Sequence, residues 1–138
     1  MANFEIAYQK TKGYEAGYAN VAHDNGGETY AGISRKFWPK WEGWSIVDQH
    51  KPIKQGAFIK DANLERMVRS FYKKQFWEPI QGDLIVFQNH ANTLYDFGVN
   101  SGVSMSVKNI QKIFGFAETG KVTDGLVEAI NNPDKYLI

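Results

Sequence analysis

Two carboxylates and a hydroxyl near the N-terminus have the types and spacing for acid–base chemistry. Glu15 precedes a glycine turn, Asp24-Asn25-Gly26-Gly27, and Glu28-Thr29-Tyr30 leads out of it. Winding residues 4–18 as a helix, at about 100° per residue, puts Phe4, Tyr8, Thr11, Glu15 and Tyr18 on one stripe. Glu5, Gln9, Lys12 and Ala16 lie mostly on another side, as an amphipathic helix requires. Glu15 therefore sits on the face that a helix buries. Burial disfavours the ionised form and raises a carboxyl pKa, which keeps a proton available near neutral pH. That is the property of a general acid. The same position also suits a carboxylate satisfied by a backbone amide or an arginine at a helix end.

A second carboxylate lies across the turn. Cleavage of a glycosidic bond uses one protonated acid against the leaving oxygen and another carboxylate for the nucleophile or for charge stabilisation. Glu15 and Asp24 have the types for that pair, and Thr29 can hold a water. Asp24 is equally suited to capping its own glycine turn. The three histidines, His23, His50 and His90, are too scattered for a helical metal motif. No phosphate loop, nucleophile elbow or dinucleotide fingerprint occurs, and the Asp/Asn alternation of a calcium loop is missing. No metal and no cofactor are expected.

The elements that must position these residues follow from periodicity and punctuation. Asn3 can cap the first helix, and Gly17 with Asn20 marks its end. Residues 22–33 form a glycine turn or short hairpin. In residues 31–50, Pro39 and Gly43 break the chain into short helical pieces. Trp38, Trp41 and Trp44 step by three there, and line either a sugar groove or a small core beneath a loop. Asp61 caps a helix over 62–76, with Leu64, Met67, Val68, Phe71 and Tyr72 as its apolar face and Trp77 and Pro79 at its end. A helix over 83–98 uses Leu84, Phe87, Ala91, Leu94 and Tyr95. Another over 104–114 uses Val103, Val107, Ile110 and Phe114, with Gly115 as the residue after it. Thr123 caps a last short helix, which Pro133 stops.

With 138 residues, 43% of them hydrophobic, the chain has enough material for one domain with a real core. A net charge of +1 implies no large basic surface for nucleic acid. The absence of cysteine excludes a disulfide framework, a thiol nucleophile and cysteine-ligated zinc. Aromatics make up 14%, suited both to sugar faces and to cores. The N-terminus, MANFEIAYQK, lacks the apolar core of a signal peptide, and no run is long enough to span a membrane. The expectation is synthesis in the cytoplasm, with action in the periplasm or cell wall after export or lysis.

Four motifs in order carry a family resemblance. Glu15-Ala16-Gly17-Tyr18, followed by Asp24-x-Gly26-Gly27-x-Thr29-x-x-Gly32-Ile33, resembles the N-terminal signature of glycoside hydrolase family 108. Phe71-Tyr72 with Phe76-Trp77 is similar to the family's Tyr-Trp segment, and Tyr95-Asp96-Phe97-Gly98-Val99-Asn100-Ser101-Gly102 to its Phe-Asp-x-x-Val-Asn-x-Gly segment. Asn109-Ile110-Gln111 with Phe114-Gly115 resembles the start of the predicted peptidoglycan domain that usually follows. The sequence departs from the family at Ala16, where a Gly is usual. Its Thr119–Thr123 stretch is a shortened version of the family's Asp-Gly-x-x-Gly, and Asp24 and Thr29 have four residues between them where the broader lysozyme-like endolysins that the family resembles have five.

The resemblance implies a mainly α, lysozyme-like fold with a small β-hairpin or glycine turn near residues 22–30. It implies one compact domain, with residues 1–90 catalytic and 91–138 as helices like those of the peptidoglycan domain. The implied activity is hydrolysis of the β-1,4 bond between N-acetylmuramic acid and N-acetylglucosamine. In that activity Glu15 is the acid, and Asp24, or a water on Thr29, acts on the other face of the sugar. The substrate-binding residues expected are Tyr18, Gly26, Gly27, Tyr30, Trp38, Trp41, Trp77 and Asn100. Peptidoglycan strands are the expected partner, with a holin-like protein for export. Two other functions fit the same chain: a lytic transglycosylase, and a wall-binding or secretion-accessory module without turnover.

Overall fold

The computed structural model describes residues 1–12, 17–20 and 27–137. The fold is mainly α with one small antiparallel sheet, the class expected from the sequence. The chain divides into two compact units. A sheet unit comprises Lys12–Phe71, and a helical unit comprises Met1–Thr11 with Tyr72–Ile138.

The helical unit begins with helix α1, Phe4–Lys12, whose terminal residue falls in the sheet unit. The Asn3 side chain accepts from the Glu5 and Ile6 amides and caps it. Phe4, Ala7, Tyr8 and Thr11 are its buried residues, the stripe that the periodicity marks. Phe4 packs edge-on to Trp77 and Tyr95, and Tyr8 packs on Tyr72. Helices α4, Gln88–Ser101, and α5, Val103–Phe114, then pack on each other. The buried Ser106 hydroxyl donates to the Leu94 carbonyl across that contact. Helix α6, Asp124–Asn131, is capped by Thr123, which accepts from the Leu126 amide. Pro133 both stops α6 and opens a four-residue helix α7, Pro133–Tyr136.

Helix α4 starts five residues later than the expected 83. Residues 84–86 are recruited elsewhere. Ile85 accepts from the Ala2 amide, and Asn131 pairs with Leu84 and Val86 through both ends of its side-chain amide. Those long-range bonds use backbone groups that a helix would need. Ile85 is consequently buried, while Leu84 and Phe87, expected on the core stripe, are exposed. The α5 core face also shifts, since Ser106, Val107 and Gln111 are its buried residues.

In the sheet unit, strands β1, Tyr18–Asn20, β2, Glu28–Tyr30, and β3, Ile33–Ser34, pair in sequence order. The expected helix end at Gly17 and Asn20 is thus corrected to a strand. Its cause is non-local pairing on both edges. Tyr18 stands opposite Tyr30, while on the outer edge its amide donates to the Ala57 carbonyl and its carbonyl accepts from the Gly56 amide. Gly17 is obligatory for that approach, since a Cβ there would lie 2.5 Å from the Ala57 oxygen. The β2–β3 turn uses Ala31 at φ 50° and Gly32 at φ 80°, the positive pair that a two-residue hairpin demands. Helix α2, Trp44–Gln49, and helix α3, Ala62–Tyr72, complete the unit, and the last residue of α3 passes into the helical unit. Asp61 caps α3 by accepting from the Leu64 amide. Beyond α3 the chain continues through a π-helical turn, Lys73–Trp77.

Candidate active site

The hairpin of the sheet unit carries the described end of the sequence motif. Glu15, Asp24 and Gly26 lie outside the described residues. The described parts of the motif are Gly17, Tyr18, Gly27, Thr29, Tyr30, Gly32 and Ile33. Alternation along the strands puts Tyr18, Glu28 and Tyr30 on one face and Ala19, Thr29 and Ser34 on the other. Tyr18 and Tyr30 are buried, and Thr29 is half-buried. Both tyrosine hydroxyls are engaged, Tyr18 donating to Glu28 and Tyr30 accepting from the Ile59 amide. Burial first, and the Glu28 bond second, raise the Tyr18 pKa. Tyr18 and Tyr30, expected to bind substrate, form the floor of the hairpin instead. Gly27, at φ 62°, leads into β2.

The tryptophans divide. Trp77 is 1% exposed, wedged against Phe4 and Tyr95, with its indole N–H on Asp83. A ring without an open face cannot stack on sugar, so its expected substrate role is replaced by a core role in the helical unit. Trp38, Trp41 and Trp44 do not share one helix, because only Trp44 lies in α2. Their rings nonetheless cluster. Trp38 stands edge-on to Phe71 at 4.9 Å, and Trp41 to Trp44 at 5.2 Å. Trp44 is buried, Trp41 is half-buried, and Trp38 is 39% exposed, so Trp38 presents the most open face of the three. Asn100, in the helical unit, is exposed and donates to the Asp96 carbonyl within α4.

A charged cluster at the start of β2 is absent from the sequence-based expectations. One Glu28 oxygen receives the Tyr18 hydroxyl at 2.7 Å and the Lys51 ammonium at 2.6 Å. The other receives Arg35 at 2.9 Å. Arg35 also grips Asp48 with two nitrogens, at 2.7 and 2.9 Å, and lies 5.0 Å from the Trp44 ring centre. Lys51 closes the circuit on Asp48 at 2.9 Å. Burial works to raise the Glu28 pKa, but the bonds from Lys51, Tyr18 and Arg35 outweigh it and hold the carboxyl below its ordinary value. Arg35, and then Lys51, hold Asp48 well below the usual carboxylate range. Glu28 is thus an anion, unsuited to donating a proton. Glu28 lies on a strand, Arg35 in the loop after β3 and Asp48 on α2, so no single helix or strand repeat links the three in the sequence.

The shortened stretch in the helical unit is internally satisfied. The buried Gln111 amide donates to Thr119 and to the Lys121 carbonyl, and accepts from the Gly120 amide. These bonds give the stretch a structural explanation. An apolar cavity of about 240 Å³ also lies in this unit, lined by His90, Leu94, Ile110, Ile113, Phe114, Ile130 and Leu137 among others.

With this geometry in place, the comparisons with known proteins become decisive. The family model described as Glycosyl hydrolase 108 matches residues 8–102, well over half of the chain. The chain belongs to glycosyl hydrolase family 108. Among solved structures, SagA of Brucella abortus has the same fold, with a TM-score of 0.63 and 24% identity. That alignment covers 92% of this chain and 67% of SagA. No curated protein matches.

Membership points to a peptidoglycan-degrading glycoside hydrolase. The family match runs through the whole hairpin, from before β1 to beyond β3. Within this family 108 chain, no described helix is long and apolar enough to cross a membrane.

Proposed function

We infer that this family 108 chain is an N-acetylmuramidase, hydrolysing the β-1,4 bond from N-acetylmuramic acid to N-acetylglucosamine. The observation that carries this reading is the family match across residues 8–102, which includes Glu15, Asp24 and Thr29 in order. Glu15 protonates the leaving glycosidic oxygen. Asp24 acts as general base on a water that enters from the opposite face of the sugar, and the Thr29 hydroxyl holds that water. Thr29 suits this role because it projects from the hairpin face opposite the buried tyrosines. Trp38, set edge-on against Phe71 beside the half-buried Trp41, offers an open aromatic face to a sugar ring. The substrate lies in the cell wall, so export by a holin-like partner or release on lysis precedes turnover.

Product analysis tests the reading. Purified peptidoglycan is digested, reduced with borohydride and analysed by mass spectrometry. Fragments ending in reduced muramic acid are the expected result. Fragments ending in 1,6-anhydro-muramic acid would make the protein a lytic transglycosylase, and binding without fragments would make it a wall-binding module.

A further inference from the structure

The proposed reaction uses none of the charged residues that converge on Glu28. These residues come from five places: Tyr18 on β1, Glu28 on β2, Arg35 just after β3, Asp48 on α2 and Lys51 just beyond it. Isolated surface ion pairs order little. This cluster differs in three respects. Glu28 is only 12% exposed, the Arg35–Asp48 pair is two-pronged, and the guanidinium also rests against Trp44. Two-pronged charge-assisted pairs fix orientation as well as distance.

What the cluster holds is the end of a very short ladder. β2 has three residues and β3 has two, too few to be rigid through backbone pairing alone. Buried Tyr18 and Tyr30 determine which face of the hairpin packs inward. Among the described residues the ladder runs as far as Asn20↔Glu28, away from that buried pair. Strand ends fray unless tied. Glu28 is tied through its carboxylate and also through its carbonyl, which accepts from the Arg35 amide at 2.9 Å. The next residue is Thr29, which emerges on the opposite face.

We propose that Glu28 is a positioning residue for Thr29, its bonds to Arg35, Lys51 and Tyr18 holding the end of β2 so that the Thr29 hydroxyl stays in place for the reaction. The proposal rests on the muramidase reading of Thr29. Neither Glu28 nor Arg35 is required to touch the sugar.

The test is a double-mutant cycle on full-length protein acting on purified peptidoglycan. Displacement by about 1 Å costs a reaction up to roughly 10²-fold, so Glu28→Gln lowers kcat by roughly tenfold or more with KM within about twofold. Because Glu28 acts through Thr29, the double variant Glu28→Gln with Thr29→Ala is no slower than Thr29→Ala alone. Multiplying effects, or an unchanged kcat in Glu28→Gln, would overturn the proposal. If Glu28→Gln does not fold, Arg35→Lys, which retains charge and loses the two-pronged geometry, takes its place in the same cycle. If the wild type releases no fragments from peptidoglycan, the muramidase reading fails and amide exchange decides the tethering separately. Faster exchange of the Arg35 amide in Glu28→Gln, with α3 amides unchanged, supports the tether. Unchanged exchange, or uniform acceleration through the unit, overturns it.

Discussion

In the sheet unit, a network of charged and hydroxylated side chains ties together short segments, three residues in β2, two in β3 and six in α2, beside the ring cluster of Trp38, Trp41 and Phe71. In the helical unit the core is filled by apolar rings and aliphatic chains, much of it carried on helices of fourteen and twelve residues, with no comparable ion-pair network among the described residues. The contrast follows from what each element can bury. A long amphipathic helix buries a continuous stripe, and apolar contact is then sufficient without regard to direction. A two- or three-residue strand has one or two inward positions, here Tyr18, Tyr30 and Ile33. Directional bonds must supply the rest, and they supply position better than they supply stability. Thr29, to which the proposed reaction assigns a water, lies in the unit held by directional bonds.

Trp77→Ala gives the largest expected effect on the helical side of this comparison. Removing a fully buried indole between Phe4 and Tyr95 should destabilise the protein by about 3–5 kcal/mol, measured by denaturant unfolding. A loss below about 1 kcal/mol would mean that the helical unit does not depend on that aromatic cluster.

The sheet unit should break in activity before stability. Asp24→Asn is expected to slow hydrolysis by roughly 10²-fold, as loss of a general base does, while the thermal midpoint stays near that of wild type. The first-formed sugar should be the α-anomer, the outcome of inversion, and NMR detection of the β-anomer first would exclude it. Near-full activity with an Asn at this position would reduce Asp24 to a cap of its glycine turn.

Many of the helices, in both units, were legible because their signals are local. Asn3, Asp61 and Thr123 each cap the helix that follows them, and Phe4, Tyr8 and Thr11 recur at helical spacing. The strand at Tyr18 was not legible, because its partners are Ala57 and Tyr30 rather than its chain neighbours. Residues 84–86 read as helix by periodicity and were diverted by Ala2 and Asn131 from far along the chain. At the site, residue types pointed to acid–base chemistry on sugars, and the family motif pointed to a glycoside hydrolase of peptidoglycan. The Glu28 cluster had no signal, since ion pairs across loops obey no spacing rule. Trp77 shows the opposite failure, an aromatic whose residue type fits a sugar site and whose surroundings are core.

Smaller effects sharpen the contrast further. Trp38→Ala should weaken binding of muropeptide or chitooligosaccharide by about 1–3 kcal/mol with little change in stability, if its open face stacks on sugar. Early melting with unchanged binding would assign Trp38 to the small core around Phe71. Acid should act more gently still. Glu28 and Asp48 have lowered pKa values, so their contribution is fully present above the ordinary carboxylate value of about 4 and fades as pH falls below it. The raised pKa values of Arg35 and Lys51 place their own loss at strongly alkaline pH. The midpoint should therefore be flat near neutrality and fall below about pH 4, with a shallower acid slope in Glu28→Gln. Equal slopes would show that the cluster contributes nothing to folding.

The central claim is that Glu15 is the acid of a muramidase, and turnover by Glu15→Gln measures it most directly. The neutral side chain keeps the shape and removes the transferable proton. Release of reducing muramic acid ends from purified peptidoglycan should disappear in Glu15→Gln, with a thermal midpoint equal to that of wild type or higher. Release within about tenfold of wild type would contradict the claim, because general acid catalysis contributes roughly 10²–10⁴-fold.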